Sequence, residues 1–379
     1  MARLDVEVHR SDIPGALEIV SLREGKPGQL YGGLTGDHGH LFFRYDLADA
    51  TFVDLGDRVR DGNVITSFSG RPIPGKIHHA LEVLPDGRVA GATGNNYSVH
   101  TLYTDRDEGG HVFLYDPEAD TAEDLGIPCP HEWIINMTAD PAGETLYGMG
   151  YPLNHVFRVD LKRGDVRVVG QPMAGAYGDS GPCHECCTDE EGNLYGSGTH
   201  GHIWKYDRRK DALEPTAMRL PRPPRGKRGP MWFGVRIDSF VRGPDGMLYA
   251  GTWETGHVVR FRPGEEKLEV LGQPAEPRPD ARAMRLPAMA FRPDGLLYGA
   301  AGGGQAYGSH NSFIFRLDPA TGRFENLGTI ESGDVVAERV HTMCCGSDGV
   351  LYAGETGSQR TAAGEVALNP NLYICRIRD

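Results

Sequence analysis

Seven copies of one strand-turn-strand signature, 52 glycines and 26 prolines among 379 residues, and little helical periodicity beyond two turns predict an all-β fold. The expected form is a seven-bladed β-propeller built from four-stranded antiparallel blades. The signature reads acidic-Gly-x-Leu-Tyr-Gly, then a loop, then Gly-His-aliphatic-aromatic-x-Tyr-Asp, then an acidic-Leu-Gly close. Its clearest copies start at Gly28, Gly192 and Gly246, and degenerate copies start at Gly87, Gly143, Gly295 and Gly349. Each copy holds four short runs rich in Val, Ile, Leu, Phe and Tyr between Asp-Gly or Asp-Pro turn signals, the pattern of a four-stranded meander. Seven such sheets repeated radially leave few exposed edges.

The last copy supplies only three runs, VHTMCC, VLYAG and NLYICRI. The run LDVEVHR near the N-terminus is the expected fourth strand, closing the ring by joining both ends of the chain in one sheet. No segment is long enough to link two domains, so residues 1–379 are expected to form a single propeller domain. The basic, Pro-rich PRPPRGKRGP from Pro221 reads as a blade-connecting loop.

With 39 Lys and Arg against 52 Asp and Glu, the formal charge is −13. Such an acidic chain argues against nucleic acid or an anionic membrane as partner, because a phosphate-tracking surface needs basic residues in excess. The first residues, MARLDVEVHRSDIPG, carry no apolar signal core, and no run approaches a membrane span. A cytoplasmic protein is expected. The seven cysteines include Cys183, Cys186 and Cys187 and the neighbours Cys344 and Cys345. An odd count without framework spacing suggests reduced thiols.

The turn glycine gives every blade a common ruler. Eight residues back should lie the channel end of the innermost strand, and there stand His79 (from Gly87), His184 (from Gly192), Asp238 (from Gly246) and His341 (from Gly349). The weaker blades place Val20, Ile135 and Pro287 at that level, which makes the ring asymmetric, as a binding site requires. Two residues further back, on the same side of an extended strand, stand Arg236, Arg285 and Arg339. His78 is expected to face away from His79. By contrast His40, His111, His155, His202 and His257 recur at the start of the third strand, and such repetition points to a scaffold hydrogen bond. Loops expected over the histidine ring carry Asn95, Asn96, Tyr97 and His100, then Tyr151, Trp253, Tyr307, Gln359 and Arg360, groups suited to sugar recognition.

Three neutral imidazoles and a carboxylate suit a divalent ion with open positions, as in Mn, Zn or Fe sites, and metal is expected at His79, His184, His341 and Asp238, with Ca as a further possibility. The same histidines suit general acid-base work near neutral pH. Arg236, Arg285 and Arg339 suit bidentate capture of a carboxylate. Together these groups match β-elimination from a uronic acid.

In repeat style, in phrases such as HGHLFFRYDLADATFVDLG, the chain resembles the β-propeller polysaccharide lyases that include oligogalacturonate, ulvan and rhamnose-glucuronate lyases. The resemblance implies a uronate substrate, His and Tyr acid-base pairs, Arg for the carboxylate and, in several members, a bound metal. The expected activity is therefore a carbon-oxygen lyase on an anionic oligosaccharide or small molecule. Catalytic groups would be His79, His341 and Tyr151; substrate-binding groups would be Arg236, Arg285, Arg339, Asn95, Tyr97 and Trp253. The alternatives are a propeller lactonase or streptogramin-type lyase, and a non-catalytic propeller that displays protein-binding loops. Neither a nucleophile elbow nor a phosphate loop is present.

Overall fold

The computed structural model describes residues 3–67, 69–96, 106–172, 183–198, 201–222, 235–276, 284–302, 311–356 and 369–378. The repeat signature folds through a few local interactions. In the Asp-Gly turns of three blades the aspartate accepts two hydrogen bonds. Asp245 takes the amide of Met247 (3.1 Å) and the Tyr249 hydroxyl (2.7 Å). Asp294 takes Leu296 N (3.0 Å) and Tyr298 (2.9 Å), and Asp348 takes Val350 N (2.9 Å) and Tyr352 (2.8 Å). The glycine that follows is left-handed in each case, with φ of 73°, 78° and 77° at Gly246, Gly295 and Gly349, which a side chain would strain. Asp, Gly and Tyr of the signature thus form one lock between a turn and a buried ring.

A second interaction explains the closing Gly of Leu-Tyr-Gly and the aromatic residue of the third strand. A Cβ on Gly32 would lie 2.1 Å from Cζ of Phe43, and the same holds for Gly91 and Phe113. The aromatic ring of the third strand fills the space left by the glycine of the second.

Seven four-stranded antiparallel sheets result. Their first strands are Glu18–Glu24, Leu81–Val83, Trp133–Ala139, Cys187–Thr188, Ile237–Arg242, Ala288–Phe291 and Val340–Cys345, in blades 1 to 7. Each touches the next in a closed ring around the axis. Blade 7 is completed by the N-terminal strand Arg3–Arg10, which pairs along its full length with Asn371–Arg378. Both ends of the chain therefore close the ring, as the sequence predicts. Side chains on the innermost strands also tie blades together: Ser21 Oγ donates to Ile77 O (3.1 Å), Ser239 Oγ to Leu286 O (2.6 Å) and Asn136 Nδ2 to Cys183 O (2.8 Å). Among the described residues no helix is long and apolar enough to cross a membrane.

Two of the third-strand histidines do scaffold work. His40 Nδ1 donates to Asp54 (2.5 Å) and His111 Nδ1 to Asp124 (3.1 Å), each an acid of the neighbouring fourth strand.

Substituting Gly32→Ala forces Phe43, which is wholly buried, out of its seat. We expect a loss of about 1–3 kcal/mol in chemical denaturation. An unchanged unfolding midpoint would contradict this packing account.

Candidate metal centre on the propeller axis

The ruler works because the innermost strands carry a bulge at their channel end. In blades 1, 3, 5 and 7 the register slips by one residue at Ile19/Ser21, Ile134/Asn136, Ile237/Ser239 and Val340/Thr342. The extra residues are Val20, Ile135, Asp238 and His341, those found by counting back eight. A bulge breaks the alternation of the strand and re-aims one side chain, here at the level where the blades converge. Blade 2 has no strand at this point. His79 instead takes a left-handed conformation, φ 41°, uncommon for a residue with a side chain.

That conformation overturns one expectation. His78 does not face away from His79: the two rings meet edge to face with centroids 4.5 Å apart, and both point at the axis. Period-two alternation holds only in an extended strand, and the strand of blade 2 begins later, at Leu81.

His78, His79, His184 and His341 bring one nitrogen each into a group whose members lie within 4.8 Å of one another, and all four side chains are buried. Their remaining nitrogens fix the tautomers. His78 Nδ1 donates to Ile135 O (2.7 Å), which leaves Nε2 as a lone pair facing His341 Nε2 at 3.3 Å. His79 Nδ1 donates to Glu185 Oε1 (2.9 Å), and its Nε2 is buried with no partner, as is His341 Nδ1. His184 differs: its Nε2 stands 3.1 Å from Arg236 Nη2, and its Nδ1 stands 3.0 Å from Asp238 Oδ1 and 3.2 Å from Arg285 Nη2, so both of its ring nitrogens already have protein partners.

The inward nitrogens of His78, His79 and His341 fit a transition-metal ion, which His184 would join in place of its contact with Arg236. Two nitrogens bound tetrahedrally at about 2.0–2.1 Å stand about 3.3 Å apart, the separation seen between His78 and His341. A metal-bound histidine also commonly donates its other N–H to a carboxylate or carbonyl, as His79 does to Glu185 and His78 to Ile135. Burial holds the imidazoles of His78, His184 and His341 well below the ordinary histidine value, helped by Lys76 and neighbouring imidazoles at His78, by Arg236 and Arg285 at His184, and by His79 and His78 at His341. Neutral imidazole is the ligand form.

Asp238 is not among the four groups that meet. Arg285 clasps it through Nε (3.1 Å) and Nη2 (2.6 Å), and it stands behind His184. Arg285 itself is buried, bidentate to Asp238 and stacked 3.6 Å over the Trp253 ring, with Arg236 at 4.4 Å from the same ring. Trp253 thus packs beneath the cluster, its ring also against His184 at 4.9 Å. Arg339 reaches the Thr356 hydroxyl and Glu18 (3.6 Å), and Glu18 also pairs with buried Lys76 (3.5 Å). Burial opposes ionisation of Glu18, yet Lys76 and Arg339 outweigh it and hold the carboxyl below its usual value.

Tyr151 packs against Trp133 (5.4 Å), which packs against His78 (5.7 Å), so it stands one indole ring from the cluster. Asn95 is buried away from the rings, and its Nδ2 donates to Asn63 O (3.2 Å). Asn96 is exposed. Tyr97, His100, Tyr307, Gln359 and Arg360 lie outside the described residues.

Glu185, Lys76 and Trp133 complete the site without having been singled out in the sequence, together with His78, which was expected to face away. A second surprise is where space lies. A cavity of about 500 Å³ runs along the axis from His79 and Glu185 toward the Asp-Gly turn face, walled by Met137, Cys186, Phe240, Met289 and Met343, with Arg23, Glu82 and Arg242 also lining it.

No protein-family model matches the sequence, and none of the curated proteins compared with it does. Solved structures share the architecture. A GH74 xyloglucanase from Xanthomonas campestris aligns with TM-score 0.64 at 14% identity, over 97% of this chain and 55% of that one. The Cps50 (Swd1) β-propeller domain of Myceliophteria thermophila aligns with TM-score 0.59 at 12% identity, over 98% and 99%. The extracellular domain of a one-component system from B. thetaiotaomicron gives 0.60 at 10% identity, over 98% of this chain and 40% of that one, so the chain spans about two-fifths of that protein's length. At such identities the likeness is one of fold alone.

The sign of the acid response follows from the depressed imidazoles. The unfolded chain protonates these histidines near the ordinary value of 6.5, whereas the folded chain resists. Stability is therefore full above about pH 6.5 and falls as pH drops through it. The urea midpoint of metal-free protein should decrease between about pH 7.5 and about pH 5.5, and His341→Gln should flatten that dependence. A midpoint that does not move would contradict the buried neutral cluster.

Proposed function

We propose that this chain is a metal-dependent carbon-oxygen lyase that cleaves a uronate-containing glycoside by β-elimination. The observation that carries the proposal is the convergence of four buried imidazoles, with bare nitrogens on His79 and His341, inside a shell that holds Lys76, Arg236, Arg285 and Arg339. His78, His79, His184 and His341 would hold the ion. Imidazole donors suit Zn and neighbouring transition metals. Of the ions anticipated, Ca fits least, since it takes oxygen ligands. A divalent ion there supplies positive charge that acidifies the carbon next to a carboxylate.

In the elimination a base removes the proton from that carbon, its electron pair forms the carbon-carbon double bond, and the bond to the leaving oxygen breaks as that oxygen takes a proton. A neutral imidazole is fit to be the base, and His79 and His341 carry the nitrogens without a partner; whichever of the two takes the proton would leave the ion to the other three histidines. Tyr151 is the proposed proton donor. Arg236, Arg339 and Lys76 are the cations assigned to the substrate carboxylate. Arg285, already bidentate to Asp238, is assigned to holding His184 and Trp253 in place. A lactonase of the kind built on a carboxylate and Asn calcium site is disfavoured by an all-nitrogen donor set.

The test is incubation with galacturonate, glucuronate and ulvan-type oligosaccharides while following the ultraviolet absorbance of the unsaturated product. We expect a rise with at least one substrate, reduced at least 100-fold in His79→Ala. No rise with any of the three would contradict the proposal.

A further inference from the structure

The metal cluster shares its chain segment with a pair of thiols that the elimination chemistry does not use. Cys183-His184-Glu185-Cys186 places two cysteines on either side of His184, one of the four ring donors, and Glu185, which holds His79. All seven cysteines are free thiols, yet Cys183 Sγ and Cys186 Sγ lie only 3.6 Å apart, buried and in direct contact. A disulfide needs about 2.05 Å between sulfurs, so a closing movement of about 1.5 Å suffices.

The segment lies outside regular secondary structure. In blades 3, 5 and 7 the first strand spans six or seven residues, but in blade 4 it is only Cys187–Thr188. Residues 183–186 thus lie outside the sheet ladder. Their backbone is held by Asn136 Nδ2 to Cys183 O (2.8 Å) and His184 N to Ile237 O (3.0 Å), while the side chains of His184 and Glu185 are tied to Arg236, Arg285, Asp238, His79 and Phe240 N. A route to one of the two sulfurs exists as well. Cys186 lines the axial cavity of about 500 Å³, together with Glu185 and His79.

We propose that Cys183 and Cys186 form a reversible dithiol site that reacts with a small hydroperoxide arriving through the axial cavity, and that closing the disulfide withdraws His184 and Glu185 from the metal centre. The inference rests on the four-histidine reading for its consequence, not for its chemistry. One sulfur attacks the peroxide O–O bond, giving a sulfenic acid and one water from hydrogen peroxide. The second sulfur then displaces the sulfenic oxygen as a second water. Two thiol hydrogens and one peroxide become two waters and one S–S bond, the sulfurs being oxidised and the peroxide reduced. Closing the four-residue loop would draw on the backbone that carries His184 and Glu185. Loss of such supporting contacts commonly weakens a metal site 10–100-fold.

The experiment uses purified full-length protein loaded with Zn(II), treated with hydrogen peroxide and, in parallel, with diamide. Peptide mass spectrometry should show a linked Cys183–Cys186 peptide lighter by about 2 Da, both thiols closed to alkylation, and a colorimetric zinc reagent should report release of Zn(II) that dithiothreitol reverses. Cys183→Ser, or Cys186→Ala if the first variant does not fold, should retain Zn(II) through the same treatment. Thiols that stay open to alkylation, or equal release from the variant, would overturn the dithiol site. Reduced protein that binds no Zn(II) while still forming the disulfide would instead sink the four-histidine reading and leave the dithiol standing.

Discussion

Seven innermost strands must converge on one axis, and this crowding is the constraint from which the rest of the site follows. Near the axis each blade has room for few side chains at a given level, so whatever the sequence puts there is packed against its counterparts from other blades. Bulges at the channel end of four strands re-aim one residue inward, and in blade 2 a left-handed His79 does the same by a different route. Where those residues are Val20 and Ile135, the wall is apolar. Where they are histidines, polar rings meet in a place with little water.

Burying polar rings is costly unless each nitrogen finds a partner. The molecule meets that demand from outside the cluster: Ile135 O and Glu185 each take one ring N–H, and Arg236, Arg285 and Asp238 surround the two nitrogens of His184. Trp253 then seats both Arg236 and Arg285 on its faces. The partners satisfy the outward nitrogens and leave His79 Nε2 and His341 Nδ1 bare. The 3.3 Å pair is satisfied when one ring donates to the other, but two buried bare nitrogens are costly as packing alone, and a bound ion would satisfy them.

Much of this was legible in the sequence because the repeat is carried by local chemistry. Asp, Gly and Tyr of the turn lock are close in the chain, so the signature survives even in degenerate copies, and it fixes both the blade count and the level of His79, His184 and His341. The parts that were not legible depend on departures from regular structure. His78 joins the cluster only because blade 2 starts its strand late, and Asp238 leaves it because Arg285, 47 positions away, clasps both its oxygens. Glu185 reaches across the axis to a residue 106 positions earlier, a contact that no spacing rule encodes. The direction of the cavity was equally hidden, since the expectation placed recognition on the loop face, whereas the described space that meets His79 runs toward the turns.

The central claim, that the four histidines form a metal centre, is tested most directly by X-ray absorption spectroscopy of the Zn(II)-loaded protein. The account predicts a shell of nitrogen donors at about 2.0–2.1 Å with imidazole scattering, reduced when His78 or His341 is replaced by Ala. A protein that retains no metal, or a shell that contains sulfur at about 2.3 Å, would contradict it.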